Sequence, residues 1–294
     1  MATLIIGASG LLGRALHRGL RGEVLGTSNT RRRPDRIPLN VRWPDAITQL
    51  LRETRPESVI NAVGERRPAV WNHDPHAMRA LNVDAAAEIA RAATETGARL
   101  LHISTDYVFD GSAPPYTPDD PAHPVNDYGC SKLDAERQVL DRAPTAAILR
   151  LPVLYGPVER YTESNITTIA HAVAQRNPIT LDHTTPRYPT SVDDVTIICD
   201  LLLHHRRWPS GVWHFSGDEG YTKYEIAQLI AEVHHLQTKH ITPQLTAPVG
   251  RPGNCRLDIT ALVNLLGAAA VQARSSFAAR VEAATRPWTT TDSS

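Results

Sequence analysis

Gly7-Ala8-Ser9-Gly10-Leu11-Leu12-Gly13 stands between an apolar triplet, Leu4-Ile5-Ile6, and an amphipathic run that continues through Leu16 and Leu20. An apolar triplet that stops at glycine reads as a buried strand, and the run after it as a helix. Three glycines spaced three apart serve one backbone need. They allow a tight strand-to-helix turn and let a ligand or a neighbouring chain come close to the main chain. The helix start beyond them carries unpaired N–H groups and the positive end of the macrodipole, which suits an anion such as a pyrophosphate. The spacing is G-x-x-G-x-x-G, and its place between strand and helix is what marks a nucleotide site. Gly7, Ser9, Gly10, Leu11, Leu12 and Gly13 are the first candidate cofactor contacts.

Further strand and helix signals alternate behind this unit. Glu23 to Gly26 predicts a second strand, Trp43 to Thr54 a helix, Ser58 to Gly64 a third strand and Pro75 to Thr96 a long helix. A strand begins at Arg99 and runs to the Gly111 region, and another covers Ala146 to Arg150. Repeated βα units with right-handed crossovers build a doubly wound, Rossmann-like parallel sheet. Ligands in such sheets bind beyond the carboxyl ends of the strands. After the second strand the sequence reads Thr27-Ser28-Asn29-Thr30-Arg31-Arg32-Arg33, with no carboxylate for a ribose 2′-hydroxyl. Arginines there suit a 2′-phosphate, so the expected cofactor is NADP(H). Pro38 to Val41 predicts a return to the sheet that brings Asn40 and Val41 to the adenine. The small residues Ala62, Val63 and Gly64 let the cofactor lie close, and Glu65-Arg66-Arg67-Pro68 places charge at the same sheet edge.

The strand Leu100-Leu101-His102-Ile103 ends in Ser104, Thr105 and Asp106, so hydroxyls stand at the ligand end of the sheet. Tyr128-Gly129-Cys130-Ser131-Lys132 then opens a helix. Tyrosine and lysine four apart share one helix face. An ammonium beside a phenol lowers its pKa, and a tuned tyrosine can protonate a carbonyl oxygen as hydride arrives at carbon. Beyond Arg150 the pattern loosens. Helices are predicted over Ser164 to Gln175, Val192 to His204, Thr222 to His234 and Ser276 to Ala284, with strands at Ile179 to Leu181 and Val212 to Phe215. Thr222 and Glu225 have the spacing of a capping box. The tail from Thr289 to Ser294 has a disordered composition.

Composition narrows the function classes. Lys+Arg and Asp+Glu both count 31, so no single-sign field points to nucleic acid. No apolar run reaches the ~18–20 residues of a membrane span. Cys130, Cys199 and Cys255 are far apart and form no zinc spacing, and no metal site is expected. With no basic leader after Met1, the cytoplasm is the simplest expectation.

The motifs together resemble the extended short-chain dehydrogenase/reductases. They are Gly7 to Gly13, S-T-D-Y-V-F-D-G at Ser104 to Gly111, Y-G-C-S-K at Tyr128 to Lys132, R-L-P-V-L-Y-G at Arg150 to Gly156 and P-T-S-V-D-D-V at Pro189 to Val195. W-H-F-S-G at Trp213, T-K-Y-E at Thr222 and R-P-G-N-C-R-L-D at Arg251 extend the likeness over nearly the whole chain. It is similar to the dTDP-4-dehydrorhamnose reductase-like branch, while Glu65 to Pro68 resembles the regulatory β subunit of methionine adenosyltransferase. The resemblance implies Thr105, Tyr128 and Lys132 as catalytic residues, with Tyr128 and Lys132 also touching the cofactor. It implies NADP contacts at Ser9 to Leu12, Asn29 to Arg31, Asn40, Val41, Ala62, Arg66 and Leu154. It places Glu65, Asp106, Tyr107, Tyr155 and Arg187 toward a small-molecule substrate. Residues 1 to about 150, rejoined by about 192 to 215, would form the NADP-binding domain, and about 151 to 191 with 216 to 294 a smaller α/β substrate lobe. Two functions stay open: an NADPH-dependent reductase of a nucleotide-linked 4-keto sugar or small biosynthetic intermediate, and an NADP-binding regulatory subunit docking on a methionine adenosyltransferase. An epimerase or dehydratase is a weaker third, because Asp106-Tyr107 supplies only part of its acid/base pair. A homodimer is a further expectation.

Overall fold

The computed structural model describes residues 2–31, 33–67 and 73–289. Arg32, Pro68 and the tail from Thr290 lie outside the described residues.

A seven-stranded sheet organises the chain. β1 (Ala2–Ile6) lies at its middle, with β2 (Glu23–Ser28) and β3 (Ile37–Pro38) on one side. On the other side stand β4 (Ser58–Asn61), β5 (Arg99–Thr105), β6 (Ala147–Leu151) and β10 (Gly211–His214). Every neighbouring pair is parallel. The chain moves outward one way from β1 and then the other, so the switch point lies between β1 and β4, beyond Ile6 and Asn61. A crevice for a ligand belongs there. The fold is the Rossmann-like α/β arrangement the sequence predicts.

The strands are apolar on both faces because helices cover both. α1 (Leu11–Gly19) and α7 (Val192–Leu203) pack on one side, where Ile5, Leu12, Leu16, Leu149, Val195, Ile198 and Phe215 share a core. α2 (Pro44–Thr54), α4 (Ala85–Thr96) and α5 (Asp127–Arg142) cover the other, around Leu4, Ile47, Leu51, Ile89, Leu100 and Val139. The predicted helix from Pro75 to Thr96 is present over that span with a π turn inside it: α3 (Pro75–Arg79) passes through Ala80–Asp84 into α4. Asn82 in that turn is drawn inward. Its Oδ1 accepts from Glu65 N at 2.6 Å, and its Nδ2 donates to Glu65 O at 3.0 Å and Ser131 Oγ at 2.9 Å. Such turns often mark functional positions, because they re-aim one side chain.

A separate apolar core forms beyond β6. α6 (Asn165–Gln175), α8 (Lys223–Val233) and α11 (Phe277–Thr285) gather Ile166, Ile169, Val173, Ile226, Ile230, Phe277 and Val281. β8 (Ile179–Asp182) and β11 (Ile241–Gln244) form a two-stranded sheet beside it. β7 (Leu154–Tyr155) and β9 (Thr190–Ser191) form another pair. Thr222 and Glu225 complete the capping box at the start of α8. Two short helices, α9 (Thr260–Leu266) and α10 (Ala268–Gln272), are additions the sequence reading did not contain.

Candidate active site

The glycine turn at the end of β1 is built as tightly as its sequence suggests. Gly7 has φ of 95°, a region that side chains other than glycine's rarely adopt. A Cβ on Gly13 would lie 2.2 Å from Gly7 O and 2.7 Å from Ala8 Cα, so α1 packs on the turn only because that atom is missing. Gly10 precedes α1 without a side-chain cap. A helix start built this way leaves first-turn N–H groups to be met by water or a ligand.

Cations converge next to this turn. Arg31 donates to Ser9 O at 3.2 Å and Arg14 to the same oxygen at 2.8 Å. Both also grip Glu163, Arg14 Nη2 at 2.6 Å from its Oε2 and Arg31 through Oε1. Burial would raise the Glu163 pKa, but the Arg14 hydrogen bond and its neighbours hold the carboxyl below the usual range. Arg33 pairs with Glu159, and Arg66 donates to the Thr162 carbonyl at 3.2 Å and to that of Glu163. The segment from Glu159 to Glu163 thus lies across the arginines that the sequence assigns to a cofactor phosphate. Neither Arg14 nor Glu163 was singled out from the sequence. Arg14 follows the last glycine of the motif and was the readable signal; Glu163 lies 149 residues away.

The remaining cofactor candidates occupy the same sheet edge. Ser28 is buried at the end of β2, while Asn29 and Thr30 are exposed just beyond it. Val41 is buried and Asn40 half-buried, its Oδ1 accepting from Arg42 N at 3.1 Å. Ala62 and Val63 border Gly7, where a Cβ would meet Ala62 O and Val63 Cγ2 at 3.1 Å. Gly64 faces Asn82, and Leu154 is half-buried in β7.

The three proposed catalytic residues meet around the end of β5. Asn126 caps α5, accepting from Gly129 N at 2.9 Å, which fixes where Tyr128 leaves the helix. Tyr128 is hydrogen-bonded to the Thr105 hydroxyl. Thr105 Oγ1 also lies 3.1 Å from Asp106 Oδ1 and accepts from Tyr107 N at 3.2 Å. Tyr107 stands edge-on to Tyr128, with ring centroids 6.0 Å apart. Ser104, the other strand-end hydroxyl, is turned away and donates to Glu136.

Electrostatics here differ from the expectation in one respect. The Tyr128 pKa is pushed up to about 12, chiefly by burial, and the Thr105 hydrogen bond offsets this only in part. Lys132 is 3% exposed, and its ammonium is spent on the strand: Nζ donates to Ile103 O at 2.7 Å and lies 3.3 Å from His102 Nε2. Burial brings the Lys132 pKa down to about 8, opposed by Glu136. Lys132 is thus directed to the β5 backbone rather than to the phenol.

The substrate candidates divide. Asp106 is buried and its pKa rises to about 7, because burial outweighs the pull of Arg187. Arg187 is 5% exposed and its guanidinium carbon sits 5.5 Å from the Tyr107 ring centre, so these residues are neighbours of Tyr128. Glu65 is turned to Arg67, which donates to Oε1 through both its backbone N and Nε at 2.8 Å. Tyr155 does not face the cleft. It is 2% exposed and packs edge-on to Phe277 at 5.1 Å, because β7 points that side chain into the second core.

No cluster of three or more metal-ligating side chains and no helix long and apolar enough to cross a membrane occur among the described residues.

Residues 1–286 match the profile of the RmlD substrate binding domain. Methionine adenosyltransferase 2 subunit beta of Xenopus laevis is 41% identical over 269 residues, covering 88% of this chain and 80% of that protein. A probable dTDP-4,6-dihydroxy-2-methyloxan-3-one 4-ketoreductase of Streptomyces antibioticus is 32% identical over 263 residues, covering 86% and 83%. Among solved structures, a dTDP-4-dehydrorhamnose reductase of Clostridium acetobutylicum superposes with a TM-score of 0.79 at 26% identity, covering 90% of this chain and 92% of that one.

Proposed function

The chain belongs to the RmlD substrate binding domain family, and from that premise we propose that it is an NADP(H)-dependent oxidoreductase that reduces a carbonyl of a small molecule. The observation that carries this reading is the meeting of the Thr105 and Tyr128 hydroxyls at the ligand end of β5. The cofactor fits the residues present. The glycine turn with its uncapped helix start suits the pyrophosphate, and Arg14, Arg31, Arg33 and Arg66 suit phosphate oxygens, the 2′-phosphate included. When bound, NADPH would supply the hydride. Thr105 Oγ1 and Tyr128 Oη then hold the substrate oxygen, and Tyr128 gives it a proton. For that, the phenol must come down from about 12, and Lys132 is the cation one helical turn away that can do it once it leaves Ile103 O. Residues 1 to about 150 with about 192 to 215 form the cofactor part in this reading, and the remainder the substrate lobe.

A second reading is a regulatory subunit that binds NADP and docks on a methionine adenosyltransferase. The 41% identity to the Xenopus subunit favours it. One experiment separates the two: NADPH oxidation against a panel of 4-keto nucleotide sugars, with a parallel pull-down of a methionine adenosyltransferase. The reductase reading expects a turned-over substrate, and Tyr128→Phe should lower turnover about 10²–10⁴-fold while NADPH affinity changes little. A Tyr128→Phe protein with wild-type turnover removes Tyr128 as the acid. Stable association with the transferase and no reduction of any substrate favours the second reading.

A further inference from the structure

Two polar side chains of the sheet lie buried behind Lys132. Asn61, the last residue of β4, and His102 of β5 are register partners, and neither is exposed to solvent by more than 1%. With Lys132, which reaches them from α5, they form a row of nitrogens. Asn61 Nδ2 is 3.1 Å from His102 Nδ1, and His102 Nε2 is 3.3 Å from Lys132 Nζ. The row fixes where its protons stand. Asn61 Oδ1 accepts from Val63 N at 3.1 Å, so the amide cannot turn over without setting its NH2 against a backbone N–H. Nδ2 only donates, and His102 Nδ1 must therefore accept. The ring is neutral, because burial and then the Lys132 charge hold its pKa well below the usual value. A neutral imidazole that accepts at Nδ1 carries its proton on Nε2. That N–H faces Lys132 Nζ.

An ammonium has three N–H groups and no lone pair, so it cannot accept this hydrogen, whereas a neutral amine can. Moving the ring proton to Nδ1 brings no relief, because it then meets the Asn61 NH2. Against β5 the Lys132 ammonium thus has one acceptor, Ile103 O, and one opposed N–H. Glu136, one turn further along α5, favours the ammonium, but its carboxylate is already held by Arg150 and Ser104. Burial disfavours the charge throughout this interior; His102 disfavours it at one position. We propose that His102, its tautomer set by Asn61, is a positioning residue for Lys132, making the ammonium a poor fit against β5 and so favouring the arrangement in which its charge lies at the Tyr128 phenol. An acceptor in place of that N–H would instead hold the ammonium on the strand. The bearing of His102 on catalysis rests on the reductase reading; its effect on Lys132 does not.

The test is NMR titration of the full chain. Its only lysines are Lys132, Lys223 and Lys239, so lysine labelled with carbon-13 at Cε gives few signals, and Lys132→Met identifies the one that belongs to Lys132. Asn61→Leu releases the tautomer, so that the ring proton can move to Nδ1 and Nε2 can accept. His102→Gln puts an amide there that is free to turn its oxygen toward the ammonium. Each should raise the Lys132 pKa by about one pH unit, roughly the worth of one misdirected hydrogen bond. Nitrogen-15 spectra of the imidazoles read the tautomer, which a merely loosened core would not change. The ring lost in His102→Gln should carry its proton on Nε2 in wild type and on Nδ1 in Asn61→Leu. Thermal melts show whether each variant is folded. A wild-type ring protonated at Nδ1, or a Lys132 pKa that stays or falls in both folded variants, overturns the proposal. Failures of the two readings look different: the expected shifts with no substrate ever reduced sink only the reductase, and brisk reduction by a protein whose Lys132 pKa ignores both variants sinks only the role of His102.

Discussion

Removing Glu136 should cost about as much stability as truncating a large apolar side chain in the sheet, and removing its partner as well should return much of that loss. Glu136 lies one turn beyond Lys132 on α5 and is 3% exposed; Arg150 on β6 is 5% exposed. Arg150 Nη2 is 2.7 Å from Glu136 Oε2, and its Nε lies 3.0 and 3.2 Å from the two oxygens. Ser104 donates to the same carboxylate, and the guanidinium lies over the Phe109 ring at 5.2 Å. His214 completes the set as a neutral acceptor. Its pKa is pushed down to about 3 by burial and then by Arg150, so Nε2 accepts from Arg150 and Nδ1–H donates to Tyr116 O. Both charges are out of water, so solvent screening does not discount the pair. Glu136→Ala leaves the guanidinium uncompensated and should cost about 3–5 kcal/mol. Glu136→Leu with Arg150→Met replaces two charges by apolar groups of similar length, and this kind of swap is often neutral or stabilising. Urea unfolding of wild type, Glu136→Leu, Arg150→Met and the double variant reads the cycle, with Glu136→Ala measured beside them, provided the m values agree. Additive losses, or a Glu136→Ala loss below about 1 kcal/mol, would refute the view that this pair locks the tyrosine-bearing helix to the sheet.

Two further outcomes follow from the site. Asp106 carries a pKa raised to about 7, so between the ordinary carboxylate value and that point the folded state holds a proton that the unfolded chain has released. Stability therefore falls as pH rises through that window, and Asp106→Asn should gain on wild type steadily from about pH 4 to 7 in urea titrations. The buried histidines slope the opposite way in both proteins and cancel; a flat difference would contradict the assignment. Glu163→Gln should free Arg14 and Arg31 for phosphate and tighten NADPH about five- to tenfold, with less gain for NADH. Weaker NADPH binding in fluorescence titration would show instead that Glu163 holds the arginines in place for the cofactor.

Much of this fold is legible because the backbone leaves few choices. A glycine at φ of 95° and another with no room for a Cβ can be read from their spacing, and apolar runs such as Leu4 to Ile6 belong only in a covered parallel sheet. The cap at Asn126 comes from the structure, whereas the local cap at Thr222 is legible from its spacing to Glu225. Less regular pieces are not. β11 carries Pro243 and pairs with β8 alone, a place where proline is tolerated but a strand is hard to recognise. α9 and α10 are short and broken by Gly267 at φ of 69°. The π turn at Ala80 answers to the Glu65 backbone and Ser131, partners far along the chain. The site follows the same division. Tyr128, Lys132 and Thr105 are motif residues, but the direction of Lys132, the inward turn of Tyr155, and the clasp of Glu163 on Arg14 and Arg31 depend on contacts that spacing does not encode.

Calorimetric titration of the unmodified chain with NADPH and with NADH bears most directly on the cofactor cleft, which both functional readings share. NADPH should bind at one site per chain and about ten- to a hundredfold more tightly than NADH, with most of that gap lost in Arg31→Ala. Equal affinities for the two nucleotides, or no binding of either, would contradict the assignment of the glycine turn and its arginines to NADP(H).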